Sequence, residues 1–508
     1  MNNEVELKLS IDKKHASRLR KQAVIIDSSI SKPTTHKLTN IYFDTPDLKL
    51  LDAGITLRLR HKSRSWIQTI KLAGNATAGL HERPEWEDLV VSSHPDFTKI
   101  RDKNLSKFFT DKKLRDSIIP IFQTEVKRSE WQLVFNNGDK VELVLDSGLL
   151  SSNGNQEPIS EIELELKAGS LGRLFDLALE LQSAIPLKIE NASKAQRGYA
   201  YHRSQPAKVF KANFQILNNK MNAGAAFKKI AWECITHLQS NQDVVIEKSS
   251  EEGIHQMRVA LRRLRSALTL FKKISGSKSR KSFSAELNWL ARKLGKARDL
   301  DVFITQTLPS ISGFVEQHQG LLTLKEKALE AQATAYSDVC ETLSSQRYHR
   351  MLLALSSWVE NESWRKDSKG FKNCQLETLA AATLKKLHKR LLSHGGSFAD
   401  MQPEERHAIR IACKKLRYAA EFFGSIYTAK SSRRYIKLLI ELQDHLGQIN
   451  DINVTGNLIK TLTGPNPRGR AKEAIHIFKG WSESSTIQNS VETDKIWKTL
   501  SAIKPFWI

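Results

Sequence analysis

The sequence predicts an α+β domain built on antiparallel strands, followed by an all-α helical domain, and three observations point there. Over the first two hundred residues apolar and charged side chains alternate with period two, the mark of strands with one apolar and one polar face. From about residue 222 the period becomes helical, in long runs rich in Leu, Ala, Lys and Glu. The charge changes at the same place. Residues 1–205 carry 31 Lys+Arg against 27 Asp+Glu, whereas the remainder carries 48 against 28, nearly all of the net +24. A chain of 508 residues also exceeds the size at which one core keeps growing.

The strands follow in order. Glu4-Val5-Glu6-Leu7-Lys8-Leu9, Ile55-Thr56-Leu57-Arg58-Leu59-Arg60 and Glu161-Ile162-Glu163-Leu164-Glu165-Leu166 each turn every charge to one side. Further strands are expected near 36–43, 66–72, 81–90, 121–128, 130–136 and 141–147, with turn signals at Asn136-Asn137-Gly138 and Asn153-Gly154. Helices are expected near 11–23, 102–115 and 170–184. So many short strands suggest an antiparallel sheet or barrel. The α+β domain spans 1–203 and a linker 204–221. The helical domain, 222–508, contains a repeat near 222–370 and 374–508. A displacement of 152 residues places His255-Gln-Met-Arg258-Val-Ala-Leu-Arg262-Arg263-Leu-Arg265 on His407-Ala-Ile-Arg410-Ile-Ala-Cys-Lys414-Lys415-Leu-Arg417, and Leu294-Gly295 on Leu446-Gly447.

Several classes are disfavoured. No run approaches the roughly 20 apolar residues of a membrane span, and the start MNNEVELKLS lacks a basic, then apolar, signal. A cytoplasmic protein is expected. The four cysteines are widely spaced, which fits reduced thiols better than a disulfide framework or zinc site. There is no G-x-x-x-x-G-K-[ST] loop and no aromatic-studded strand for stacking RNA bases. The basic second half points to an anionic partner.

Glu4 and Glu6 share one strand face with Lys8. Close carboxylates repel unless a divalent cation or a basic partner compensates, and Mg²⁺ and Mn²⁺ take such oxygens readily. Glu161, Glu163 and Glu165 form a second acidic face, and Arg58 and Arg60 a basic one suited to phosphate oxygens. Alternation alone fits either a solvated sheet face or the inner wall of a closed barrel, and only closure makes it a site.

Glu4-Val5-Glu6-Leu7-Lys8, Tyr42-Phe43-Asp44-Thr45-Pro46, Leu57-Arg58-Leu59-Arg60, Trp66 to Lys71, Asp146-Ser147-Gly148 and the Glu161–Leu166 strand together resemble the CYTH family, the triphosphate tunnel metalloenzymes. The resemblance covers roughly residues 1–203. It implies an eight-stranded antiparallel tunnel with Glu4, Glu6, Asp146, Glu161 and Glu163 on Mg²⁺ or Mn²⁺. Lys8, Arg58, Arg60, Lys71, Arg83, Arg128 and Lys194 would clamp phosphates, and Glu4, Glu6, Lys8 and Glu85 would take part in catalysis. Coupling to a basic helical domain resembles the bacterial inorganic triphosphatases, which implies hydrolysis of tripolyphosphate to pyrophosphate and phosphate. Thiamine triphosphatase and adenylate cyclase share the family fold, and a catalytically idle polyphosphate-binding adaptor is the competing class.

On a helix, His255, Arg258, Arg262 and Arg265 fall within about 80° of arc, and His407, Arg410, Lys414 and Arg417 repeat the stripe. Such a stripe is either a solvated face or an anion contact. With Leu294-Gly295-x-x-Arg298-Asp299-Leu300-Asp301 it resembles the CHAD domain, which implies two four-helix halves and polyphosphate bound along a basic channel, with Arg263 and Lys415 among the contacts. The second copy departs, with Asn450 and Asn453 replacing Arg298 and Asp301.

Overall fold

A computed structural model of the chain describes residues 2–203, 207–212, 217–272, 278–313, 318–366, 374–394, 398 and 401–508. Residues 204–206 and 213–216 of the expected linker lie outside the described residues, as do 367–373 between the two repeats. The chain divides into two compact units, Met1–Ala207 with Ser344–Asn361, and Lys208–Leu343 with Glu362–Ile508.

The first unit contains β1 (Asn2–Ile11), β2 (Thr34–Asp44), β3 (Ile55–Lys62), β4 (Ser65–Leu72), β5 (Asn75–Thr77), β6 (Leu80–Val90), β7 (Ile119–Val134), β8 (Lys140–Ser152), β9 (Asn155–Ala168) and β10 (Leu187–Ile189). Hydrogen bonding runs β1-β9-β8-β7-β2-β3-β4-β6, and β6 pairs back onto β1. Eight antiparallel strands therefore close into a barrel, with β5 and β10 as short additions on β6 and β1. Closure removes the sheet edges and separates an inner face from an outer one.

The outer face is apolar. Phe43, Leu57, Leu59 and Ile70 form a core with Leu105 and Leu114 of the short helices Lys103–Phe108 and Lys112–Asp116 and with Phe109 between them. The sequence suggests one helix there. Two form because Asp102 and Asp111 each cap a separate start, accepting from the amides of Asn104 and Leu105 and of Lys113. At Asn153-Gly154 both residues have positive φ, 49° and 78°, as a tight hairpin joining β8 to β9 requires.

β7 is one strand where the sequence suggests two. Its even-numbered Arg128 and Glu130 line the tunnel, and Val126 on the same strand face packs with Leu38, Leu150 and Ile159. Beyond Arg128 the odd-numbered Ser129, Trp131 and Leu133 are buried as well, beside Arg20 and the helix Ala23–Ser28. Burial of both faces interrupts the alternation without interrupting the strand.

Ser344–Asn361, within the helical domain expected from sequence, belongs to the first unit. Its helix Gln346–Glu360 packs beside the helix Gly172–Ala184 and β10. His349 Nδ1 accepts from the Ile189 amide at 3.1 Å, and Ser357 Oγ donates to Asp176 at 2.6 Å.

The second unit is helical. Ala223–Gln239, Glu251–Leu270, Lys278–Val302 and Gln319–Ser344 each begin 151–153 residues before Leu376–Leu392, Pro403–Phe423, Ala429–Thr463 and Arg470–Ala502. The fixed offset shows two four-helix halves. Among the described residues no helix is long and apolar enough to cross a membrane.

Candidate functional site

Inside the barrel lies a cavity of about 320 Å³. Thirteen sequence-predicted residues line it: Glu4, Glu6 and Lys8 from β1, Arg58 and Arg60 from β3, Lys71 from β4, Arg83 and Glu85 from β6, Arg128 from β7, Asp146 from β8, Glu163 and Glu165 from β9, and Lys194. Lys194 opens the helix Lys194–His202, fixed by a capping box in which Ser193 and Gln196 exchange bonds. That helix lays Tyr199 edge-on to Phe122, which stacks on Tyr42 at 4.4 Å.

These charges are interleaved. Lys8 contacts Glu6 at 2.9 Å and also Glu163. Lys71 bridges Glu4 at 2.5 Å and Glu85 at 3.0 Å, while Arg83 reaches Glu6 at 2.9 Å and Glu4 at 3.3 Å. Lys194 lies 2.7 Å from Asp146 and 3.0 Å from Glu163 and also contacts Glu161. Glu161 itself is off the cavity wall, behind Lys194 and 3.4 Å from Arg197.

Burial pushes the Glu4 carboxyl up, but Lys71 and Arg83 outweigh it and hold it well below the usual carboxylate range. Glu85 goes the other way: burial raises it, and the opposing Lys71 charge only partly offsets the rise. Arg60 is pushed down to about 10 by burial and by its neighbours Arg58 and Arg128.

Asp146, Glu161 and Glu163 are buried and each offers a carboxylate oxygen within 4.8 Å of the others. A set made only of oxygens fits a hard divalent cation. Glu4 and Glu6 fall outside that cluster, and Lys8 connects the two acidic groups by touching both Glu6 and Glu163.

In the second unit the stripes lie on the helices Glu251–Leu270 and Pro403–Phe423. Arg258, Arg262 and Arg265, with Arg292 of the helix Lys278–Val302, line a groove of about 640 Å³. Gly295 makes room for Arg258, since a Cβ there would sit 2.8 Å from its Nη1; Gly447, its counterpart, meets nothing within 4 Å. Arg262 Nε donates to Tyr418 Oη at 3.1 Å, which brings the two stripes together. Burial, then Arg410 and Arg262, push the Lys414 ammonium down to about 7.

Three expectations change. Arg263 is 1% exposed and lies over the Phe422 ring, so it leaves the anion-facing set; on the helix it projects about 80° from His255, on the side opposite Arg265. Arg417 is paired with Glu421 at 2.7 Å. His255 is pushed down to about 4 by burial, Arg298 and Arg262, so it brings no positive charge near neutrality. His407 is exposed and Lys415 half-buried.

The CYTH domain family matches residues 2–199 and the CHAD domain family residues 229–460. The crystal structure of the CHAD domain from the plant Ricinus communis is 32% identical, covers 58% of this chain and 98% of that one, and superposes with a TM-score of 0.51. The chain is a CYTH domain followed by a CHAD domain. An inorganic triphosphatase of Haemophilus influenzae is 32% identical over 201 residues, 39% of this chain and 55% of that protein. An uncharacterized protein of Mycobacterium tuberculosis is 27% identical over 206 residues, 40% of each chain. The chain therefore spans about half or less of the length of these relatives.

The CYTH wall also contains residues that the sequence reading did not select: Asn40, Lys62, Glu87, Glu130, Glu142 and Lys167. Most could have been found by counting in twos, since Lys62 follows Arg60, Glu87 follows Glu85 and Glu130 follows Arg128. Asn40 carries no charge, and only its register with Arg60 draws attention to it.

Proposed function

We propose that this protein is a metal-dependent triphosphatase hydrolysing inorganic triphosphate to pyrophosphate and phosphate, with its CHAD domain binding longer polyphosphate. The observation that carries the reading is the convergence of nine basic and nine acidic side chains on one enclosed wall. A wall so balanced has little net attraction for a bare polyanion. It suits one accompanied by divalent cations, with acids facing the cations and bases facing phosphate oxygens.

Glu4, Glu6, Asp146, Glu161 and Glu163 are the residues that would hold Mg²⁺ or Mn²⁺, which supplies Lewis-acid neutralisation of phosphate charge. The chain's own cations do the rest. Arg58, Arg60, Arg83 and Arg128 bring guanidinium charge to the equatorial oxygens, and Lys8, Lys71 and Lys194 act as point charges along the same path. Glu85, whose carboxyl is raised by burial, accepts the proton of the attacking water at Oε1, held 3.0 Å from Lys71 Nζ. The CHAD groove retains long anions and raises their concentration near the tunnel through tethering. We place the activity in the cytoplasm, where the four free cysteines stay reduced.

The test is phosphate release from tripolyphosphate, ATP, thiamine triphosphate and long-chain polyphosphate, each with Mg²⁺ and with Mn²⁺. Preference for tripolyphosphate supports the reading. Cyclic AMP formed from ATP, or release that needs no metal, contradicts it.

A further inference from the structure

Arg58 and Arg60 stand two residues apart on β3 and both line the tunnel, yet their charges are handled differently. Arg58 Nη2 donates to Thr69 Oγ1 at 3.0 Å, and that hydroxyl donates to Glu87 Oε1 at 3.1 Å. The three are register partners across β3, β4 and β6, and the guanidinium also lies 3.6 Å from Glu87 and 3.8 Å from Glu85. This relay ends on a carboxylate, so part of the Arg58 charge is matched by protein.

The relay from Arg60 runs the other way around the barrel. Arg60 Nε donates to Asn40 Oδ1 at 2.9 Å, and Asn40 Nδ2 donates to Thr124 Oγ1 at 2.9 Å. Arg60, Asn40, Thr124 and Leu150 are successive register partners on β3, β2, β7 and β8, so this row ends on an aliphatic side chain. Asn40 is 2% and Thr124 0% exposed. Among the described residues no carboxylate lies within 4.0 Å of the Arg60 guanidinium, although nine acidic residues share its cavity.

Resting on the triphosphatase reading, we infer that Asn40 is a positioning residue that orients Arg60 through Nε with a neutral acceptor, leaving the guanidinium charge and its Nη fork for substrate phosphate. An aspartate would fit the same space and bond more strongly, but would cancel the charge it orients. Arg60 Nε, which can only donate, sets the sense of the amide so that its oxygen faces Arg60, and Thr124 holds the amide there by accepting from Nδ2. A flipped amide would set an N–H against the guanidinium. The depressed Arg60 pKa fits a cation that burial and its basic neighbours leave short of an anion.

The test uses the full-length protein, its Asn40→Asp, Thr124→Val and Thr124→Ser variants, tripolyphosphate and Mg²⁺, with unfolding midpoints as fold controls. Asn40→Asp should raise KM on the order of tenfold, the scale of one lost charge-assisted pair, with a smaller change in kcat. Its KM ratio to wild type should narrow as pH falls and the introduced carboxyl protonates. Thr124→Val should raise KM in the same direction and Thr124→Ser should restore it, which keeps the test decisive if Asn40→Asp fails to fold. Wild-type KM in the two disruptive variants, a loss in kcat alone, or a KM ratio that does not vary with pH would overturn the inference. If wild type does not hydrolyse tripolyphosphate, the functional reading fails instead. Calorimetric binding of inorganic triphosphate to the same variants then decides the role of Asn40 by the same ordering of affinities.

Discussion

Arg128 grips Asp146 with two parallel bonds, Nε to Oδ1 at 2.8 Å and Nη2 to Oδ2 at 2.6 Å, and its Nη2 also reaches Glu163 at 2.8 Å. Burial pushes the Asp146 carboxyl up, but Arg128 and Lys194 pull it down to about 2. A depressed carboxyl stabilises the fold above its unfolded pKa, and that contribution is lost as pH falls through the folded value. Removing Arg128 leaves the buried Asp146 carboxylate with Lys194 alone and takes its two-bond partner away. Arg128→Ala should therefore cost about 3–5 kcal/mol in urea unfolding at neutral pH. The deficit should shrink between roughly pH 4 and pH 2 as the carboxylate protonates.

Glu6 is nearly buried and accepts from Lys8 and Arg83, both at 2.9 Å. Glu6→Gln keeps its volume while removing its charge. Turnover of tripolyphosphate should fall on the order of 10²-fold or more, the scale of losing one preorganised charge in a water-poor site. The unfolding midpoint should shift by only a few degrees, and near-normal turnover would remove Glu6 from the proposed metal set.

What the sequence showed and what it hid have physical causes. Seven of the eight barrel strands were legible as single strands because a charged lumen and an apolar coat give them the same alternation, as in Ile55–Lys62, whereas burial of both faces made β7 read as two. The helix Gln346–Glu360 reads as one more amphipathic helix; Tyr348, Met351, Leu352 and Leu355 form an apolar face whose pattern does not say which unit it covers. Arg263 and Arg262 are adjacent in sequence, yet one is buried over Phe422 and the other lines the groove. Asn40 gained its meaning only when pairing set it opposite Arg60.

The two CHAD repeats should contribute unequally to anion binding. Arg265 is exposed and lines the groove, whereas its counterpart Arg417 is held by Glu421, which stands where the first repeat has Thr269. Arg265→Ala should weaken polyphosphate binding and reduce the slope of log affinity against log salt by roughly one contact. Arg417→Ala should leave both nearly unchanged. Equal losses in fluorescence titrations would contradict this asymmetry.

Lys414 should make that binding pH-dependent. It faces Arg410, Arg262, Arg258 and Asp451, and with its pKa near 7 it is charged below neutrality and neutral above. Polyphosphate affinity should fall as pH rises from about 6 to about 8 and flatten in Lys414→Met. His255, at about 4, does not titrate over that interval.

The proposed reaction of the CYTH tunnel is cleavage of one terminal phosphoanhydride bond by its paired charges. Phosphorus NMR of the full-length protein with inorganic triphosphate and Mg²⁺ or Mn²⁺ tests it most directly. Pyrophosphate and phosphate should appear in equal amounts and only when the metal is present. An unchanged triphosphate spectrum with both metals would contradict it.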